Sequence, residues 1–181
     1  MKHILLAAAF FFAAAPAYAA HWNVDYAKSK LGFTATWSKQ PFTAQFKSWK
    51  AAIDFDPADL AHAKADVAIA LTSEASSGGD EFDDAIKGAQ GFAVAQFATA
   101  HFVTTGFRAT GGNGYVATGT LSLHGVTKPV TLPFTLTITG KIAHMVGTAA
   151  LLRTDYGVGQ ATTDPVAHEV TVNIDITAVQ Q

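Results

Sequence analysis

An all-β fold, a sandwich or a barrel, is predicted by three observations in the 181-residue sequence. Short stretches with strict apolar–polar alternation recur along the chain. Breaks rich in Gly, Asn, Asp and Pro separate them. A helical period surfaces in one interruption, residues 73–96. Roughly eight or nine strands at such spacing are the mark of a sandwich or barrel.

In chain order, residues 1–20 read MKHILLAAAFFFAAAPAYAA. Lys2, the apolar run Ile4–Ala15 and the small-residue end Ala17-Tyr18-Ala19 are the three regions of a secretory signal peptide. The run is short for a bilayer span, which needs about 20 apolar residues. The expected mature domain is therefore residues 21–181, exported and not integral to the membrane.

Trp22–Tyr26 and Leu31–Trp37 are the first two predicted strands, the second alternating cleanly. Phe42–Phe46, Ala51–Phe55 and Ala65–Leu71 follow. In the interruption, Asp80 can cap a helix in which Phe82, Ala85, Ile86 and Ala89 share a face, with Gly88 or Gly91 ending it. His101–Phe107 is the next strand, and Gly111-Gly112-Asn113-Gly114 is turn chemistry. Tyr115–Leu123 and Val130–Ile138 form a hairpin, with His124–Pro129 as its expected turn. Ile142–Leu152 and Glu169–Ala178 complete the set.

The alternation assigns Leu31, Phe33, Ala35, Trp37, Leu121, Leu123, Val130, Leu132, Phe134, Leu136, Ile138, Val170, Val172, Ile174 and Ile176 to one face. Thr131, Thr135, Thr137, Thr171, Asn173 and Asp175 stand opposite. A barrel of about eight strands either fills its interior with side chains or holds one small ligand. Periodicity alone does not separate a packed core from a cavity.

Composition narrows the function classes. Lys and Arg number 12 against 14 Asp and Glu, for a net charge of −2. A mildly acidic chain without a basic run is a poor partner for nucleic acid. No cysteine is present, which excludes disulfides, c-type haem attachment and thiolate metal sites. His21, His62, His101, His124, His144 and His168 are scattered without a ligand motif; His124 and His144 could meet across strands, but surface or turn roles suit them better. The acids Asp80, Glu81, Asp83 and Asp84 suit the first turn of a helix, where its dipole favours negative charge. No nucleophile elbow or phosphate loop occurs, so the sequence supplies no catalytic constellation. Arg153-Thr-Asp-Tyr-Gly-Val-Gly-Gln160 reads first as a strand end and turn. Arg153, with Lys128, is also a candidate for an anionic head group at a barrel mouth.

Several of these segments together resemble the YceI family: Trp22-Asn-Val-Asp25, Gly119-Thr-Leu-Ser-Leu-His-Gly-Val-Thr-Lys-Pro-Val130 and Arg153-Thr-Asp-Tyr-Gly-Val158. Ala51–Pro57, Pro133–Ile138 and Gly157–Gln160 resemble the branch associated with membrane cytochrome b561. The resemblance implies an extended, eight-stranded, antiparallel, lipocalin-like β-barrel with a short helical insert between strands. It further implies a periplasmic, non-enzymatic binding or carrier protein for a long-chain isoprenoid lipid or isoprenoid quinone. No other cofactor and no metal are implied, and a cytochrome b561 is a possible partner. Phe33, Trp37, Phe46, Phe102, Leu121, Leu123, Phe134 and Leu136 are the expected apolar pocket residues. The alternative is a stress-response or cytochrome-partner module whose barrel is packed. The chain departs from the family pattern in the insert, where Phe82-Asp-Asp-Ala85 stands in place of an Arg-Asp pair and Phe92-Ala-Val-Ala-Gln-Phe-Ala98 lacks the usual Tyr-Pro.

Overall fold

Among the described residues, eleven hydrogen-bonded segments build the sheet: β1 His21–Val24, β2 Lys30–Trp37, β3 Gln40–Phe46, β4 Trp49–Asp54, β5 Lys64–Ala70, β6 Glu74–Ser76, β7 Thr99–Gly111, β8 Gly114–Leu123, β9 Val126–Thr139, β10 Ile142–Leu152 and β11 Glu169–Gln180. Among the described residues one α-helix, α1, spans Asp80–Lys87. The structure is a computed structural model and describes residues 20–159 and 165–181. The signal peptide and Gln160 of the Gly157–Gln160 segment fall outside those residues, apart from Ala20 at the signal's end.

The segments close into an eight-stranded antiparallel barrel. The ring runs β1–β4–β5–β7–β8–β9–β10–β11 and shuts where Trp22 pairs with Gln180. β2 leaves β1 at residues 25–29 and pairs with the other half of β11, Thr34 opposite Thr171. β3 and β4 are likewise two halves of one bent strand, paired with β2 and β1 respectively. The bends lengthen the barrel at one end, where β2, β3 and β6 extend past the closed ring. Closure removes the exposed edges that a flat sheet of this length would present.

The β8–β9 connection is tighter than the sequence pattern predicts. Only His124 and Gly125 form the turn, at φ 52 and 77. Two residues at positive φ match the right-handed twist of a hairpin, so the ladder resumes at once. Lys128 and Pro129, expected in the turn, instead pair with Leu121 and Thr120. The helical insert forms but ends at Lys87, so Ala89 of the expected face lies beyond it, and Gly79, at φ 84, occupies the cap expected of Asp80. Asp80 is the first helical residue, and acids at 80, 81 and 83 lie in the first turn.

Alternation places one face of the long strands inside, except that a bulge between Thr104 and Gly106 changes the phase of β7, so Phe102 and Thr104 before it and Phe107 after it all line the interior. Val67, Phe102 and Leu121 form one cross-strand row of interior residues, and Tyr115 pairs with Phe134 in another. Ile138 departs from the expected inner set: at the end of β9 it is exposed and does not line the interior. Among the described residues, no helix is long and apolar enough to cross a membrane.

The barrel cavity as candidate functional site

The closed end of the barrel is filled by rings. Phe55 meets Phe107 at 5.2 Å and Tyr115 at 5.5 Å edge-on, and Tyr115 stacks on Phe134 at 5.5 Å. Trp22 caps this group by donating its indole N–H to the Phe55 carbonyl at 2.8 Å. Such pairs add about 0.5–1.5 kcal/mol each beyond area burial. They make that end a packed floor.

Above the floor the side chains do not fill the lumen. A cavity of about 600 Å³ remains, lined almost wholly by apolar groups. Its size lies within the roughly 300–1,000 Å³ typical of small-molecule sites. Alanines at 35, 100, 117, 143, 149 and 178 line it beside the larger residues, which leaves the space that uniformly large side chains would occupy.

Phe33, Trp37, Phe46, Phe102, Leu121, Leu123, Phe134 and Leu136 all lie on the cavity wall. Phe134 belongs to the floor. Phe33 sits at the extended end, 6.1 Å from Phe42, 5.9 Å from Phe46 and 6.0 Å from Phe92. Trp37 is at the rim, 39% exposed, and stacks on Phe82 of α1 at 4.4 Å. Helix α1 therefore covers the extended end, with Phe82, Ala85 and Ile86 facing the cavity. Sequence reasoning missed Phe42, Phe82 and Phe92 as wall residues. Phe82 carried a signal in the helical period, whereas Phe92 lies in a loop where no period operates.

The two candidate head-group cations are placed differently. Arg153 is buried on the cavity wall, and among the described residues its guanidinium donates to main-chain carbonyls. It donates to the carbonyls of Val158 at 2.7 Å and Ala167 at 2.9 Å, and also to those of Gly159 and Val166. It thereby ties together the segments on both sides of residues 160–164. Lys128 holds an inward register position of β9 but lies beyond the cavity, its ammonium 3.7 Å from Asp155. Gln90 and Tyr156, both uncharged, are also on the wall; the backbone carbonyl of Gln90 accepts the Gly159 N–H at 2.8 Å, which places this exposed residue near the Arg153 corner. Burial, with the Asp155 charge adding, raises the Tyr156 phenol above its ordinary range, so it stays a neutral donor.

The histidines stand apart from the cavity. His124 approaches the Tyr156 carbonyl through Nδ1 at 3.1 Å, while His144 pairs with Asp175 at 2.8 Å on the outer surface. Among the described residues, no three His, Cys, Asp or Glu side chains are grouped to hold a metal ion.

Comparison with known proteins agrees with this architecture. The model of the YceI-like domain matches residues 22–178. A UPF0312 protein of Pseudomonas syringae pv. tomato is 31% identical over 163 residues, covering 87% of this chain and 79% of the relative. The crystal structure of BcnA from Burkholderia cenocepacia superposes with a TM-score of 0.82 at 30% identity, over 87% of this chain and 100% of that one. A polyisoprenoid binding domain from Saccharophagus degradans shares the fold at a TM-score of 0.66 and 15% identity, over 91% and 100% of the two chains.

Proposed function

The chain belongs to the YceI-like domain family, and on that premise we propose that its barrel binds one long-chain isoprenoid lipid or isoprenoid quinone, as an exported, periplasmic carrier. The observation that carries this reading is the apolar cavity of about 600 Å³ between a packed aromatic floor and a helix-covered mouth. Each methylene moved from water into such a space contributes about 0.8 kcal/mol, so a long chain needs few polar contacts. The polyisoprenoid binding of the Saccharophagus degradans domain supports the ligand class.

The wall also favours an uncharged head group. Among the described residues Arg153 is the one cation lining the cavity, and four backbone carbonyls already take its N–H groups. A phosphate or carboxylate brought to that corner would have to displace those carbonyls, leaving them unsatisfied, before it could bond the guanidinium. Gln90 and Tyr156 offer neutral hydrogen bonds, which suit a quinone carbonyl or an alcohol. The likeness of Ala51–Pro57 to the cytochrome b561-associated branch supports the quinone, and such a cytochrome is then the natural exchange partner.

Native mass spectrometry of protein purified without detergent, followed by organic extraction, tests this. The expected result is an adduct that extracts as an isoprenoid and that added decylubiquinone replaces. Tyr156→Phe should weaken decylubiquinone binding about tenfold, the loss of one hydrogen bond of about 1–1.5 kcal/mol. A bare protein mass together with no retention of decylubiquinone or farnesol would sink the proposal.

A further inference from the structure

Glu74 is buried to 2% exposure, and neither carboxyl oxygen has a hydrogen-bond partner. It lies on β6, opposite Phe46 of β3, where helix α1 packs onto the barrel. Its nearest cation, the Lys87 ammonium of α1, stands at 3.9 Å, beyond a hydrogen bond. A buried carboxylate without donors is costly, and proteins keep such groups only where something else is gained.

The helix above it has the features of a movable cover. Its inner face, Phe82, Ala85 and Ile86, forms part of the cavity wall. Phe82 closes the rim by stacking on Trp37 at 4.4 Å and meeting Phe42 edge-on at 4.8 Å. Gly78 and Gly79 precede the helix, and Gly79 at φ 84 takes a backbone conformation that other residues resist. Gly88 and Gly91 follow it; a Cβ on Gly91 would lie 1.9 Å from the Ile86 carbonyl. The glycines at Gly78 and Gly79 supply the joint, while residues 88–94 are bonded back onto the helix, Phe92 N–H to the Ile86 carbonyl at 2.7 Å and Val94 N–H to that of Lys87 at 3.1 Å, so the two would move together.

We propose that α1 is a lid over the mouth of the cavity, and that the charge on Glu74 sets how firmly the lid is held. Protonated, Glu74 is a neutral group under the helix and the lid stays down. Ionised, it is an undersolvated anion that only opening can hydrate. The charged groups facing it are Asp83, which repels the anion, and Lys87, which attracts it, both from α1. From β3 comes apolar Phe46, while neighbouring Lys47 turns its ammonium to Gln45 at 3.1 Å. The preceding turn, Leu71–Ser73, adds no charge.

Burial, with repulsion from Asp83 added and attraction to Lys87 opposing, pushes the Glu74 carboxyl from 4.5 up to about 7. The closed state thus holds the proton more tightly than the open, hydrated state. Closure is favoured fully below pH 4.5, weakens as pH rises through the window to about 7, and is level above it. Across that window the opening equilibrium grows on the order of a hundredfold. The lid's role in ligand release rests on the lipid-binding reading above; its pH response does not.

The test is amide hydrogen exchange of residues 80–87 in the full chain at pH 5 and pH 8, corrected for intrinsic rates. Wild type should lose protection on the order of a hundredfold between the two, and Glu74→Gln should keep the same high protection at both. Lys87→Met, which removes the attracting charge, should move the midpoint to higher pH, a shift that a merely structural helix contact would not give. Unchanged wild-type protection, or an equal pH response in Glu74→Gln, would overturn the proposal. Release of bound N-phenyl-1-naphthylamine then reads the gate: faster release at pH 8 than pH 5 in wild type alone supports it, and equal rates refute gating. Failure of this probe to bind at either pH counts against the lipid-site reading, while hydrogen exchange still decides the lid.

Discussion

Replacing Arg153 by Met separates a structural role for this residue from a ligand-binding one. Methionine keeps an unbranched apolar stem of similar reach and deletes every N–H. Four carbonyls, those of Val158, Gly159, Val166 and Ala167, lose a charge-assisted donor together. Leaving one such group unsatisfied costs about 1–3 kcal/mol when it is fully buried. Two of the four bonds, those to Ala167 and Val166, lie in part-buried surroundings where water can substitute. The expected loss is therefore about 3–5 kcal/mol rather than the full sum. For a domain of this size each kcal/mol lowers Tm by about 2–4 °C, so a fall of about 10 °C is expected. Urea denaturation followed by tryptophan fluorescence gives the free energy, and calorimetry gives Tm. Arg153→Lys, with one nitrogen in place of three, should recover only a minor part. The reasoning is refuted if Arg153→Met loses less than about 1 kcal/mol while its affinity for palmitate drops tenfold. That pair of results would mean the guanidinium faces a ligand anion instead of the main chain.

Two further outcomes follow from the packing and the charges. Phe134→Ala removes a floor ring that is 7% exposed and touches Phe55, Phe107 and Tyr115; one side already faces empty space, so thermal denaturation should show a loss of about 3 kcal/mol, at the lower end for a buried phenylalanine. Asp83 behaves oppositely to Glu74: the Ser76 hydroxyl and N–H hold its carboxyl below the ordinary range, so its stabilisation is present above that range and fades as pH falls through it. Ser76→Ala should raise the Asp83 titration midpoint, read by carboxyl NMR, and shift acid unfolding to higher pH; an unmoved midpoint would show that the backbone N–H alone holds the anion.

The period of two in Leu31–Trp37, Leu121–Leu123 and Val130–Ile138 points out the inner face, because strand side chains alternate whatever the partner strand is, and it errs only at Ile138, where the strand runs past the cavity. The helical period at Phe82, Ala85 and Ile86 likewise marked α1 and the face it presents to the barrel. Cap and turn details were less legible. His124-Gly125 closes the hairpin alone because His124 accepts a positive φ, a conformation that residue type does not announce.

What only the tertiary structure decided is what those faces meet. Alternation names the residues turned inward but carries no measure of the volume they enclose, so the cavity depended on which small and large side chains fall opposite one another. Arg153 looked available for an anion until the chain on either side of residues 160–164 brought four carbonyls to it. Glu74, between Ser73 and Ala75, has no local pattern to distinguish it from a surface acid. Its burial arises because α1, from the next segment of chain, folds over β6. Local sequence determines the direction of a side chain; burial and partners are set by elements that arrive from elsewhere, and charge energetics follow from those.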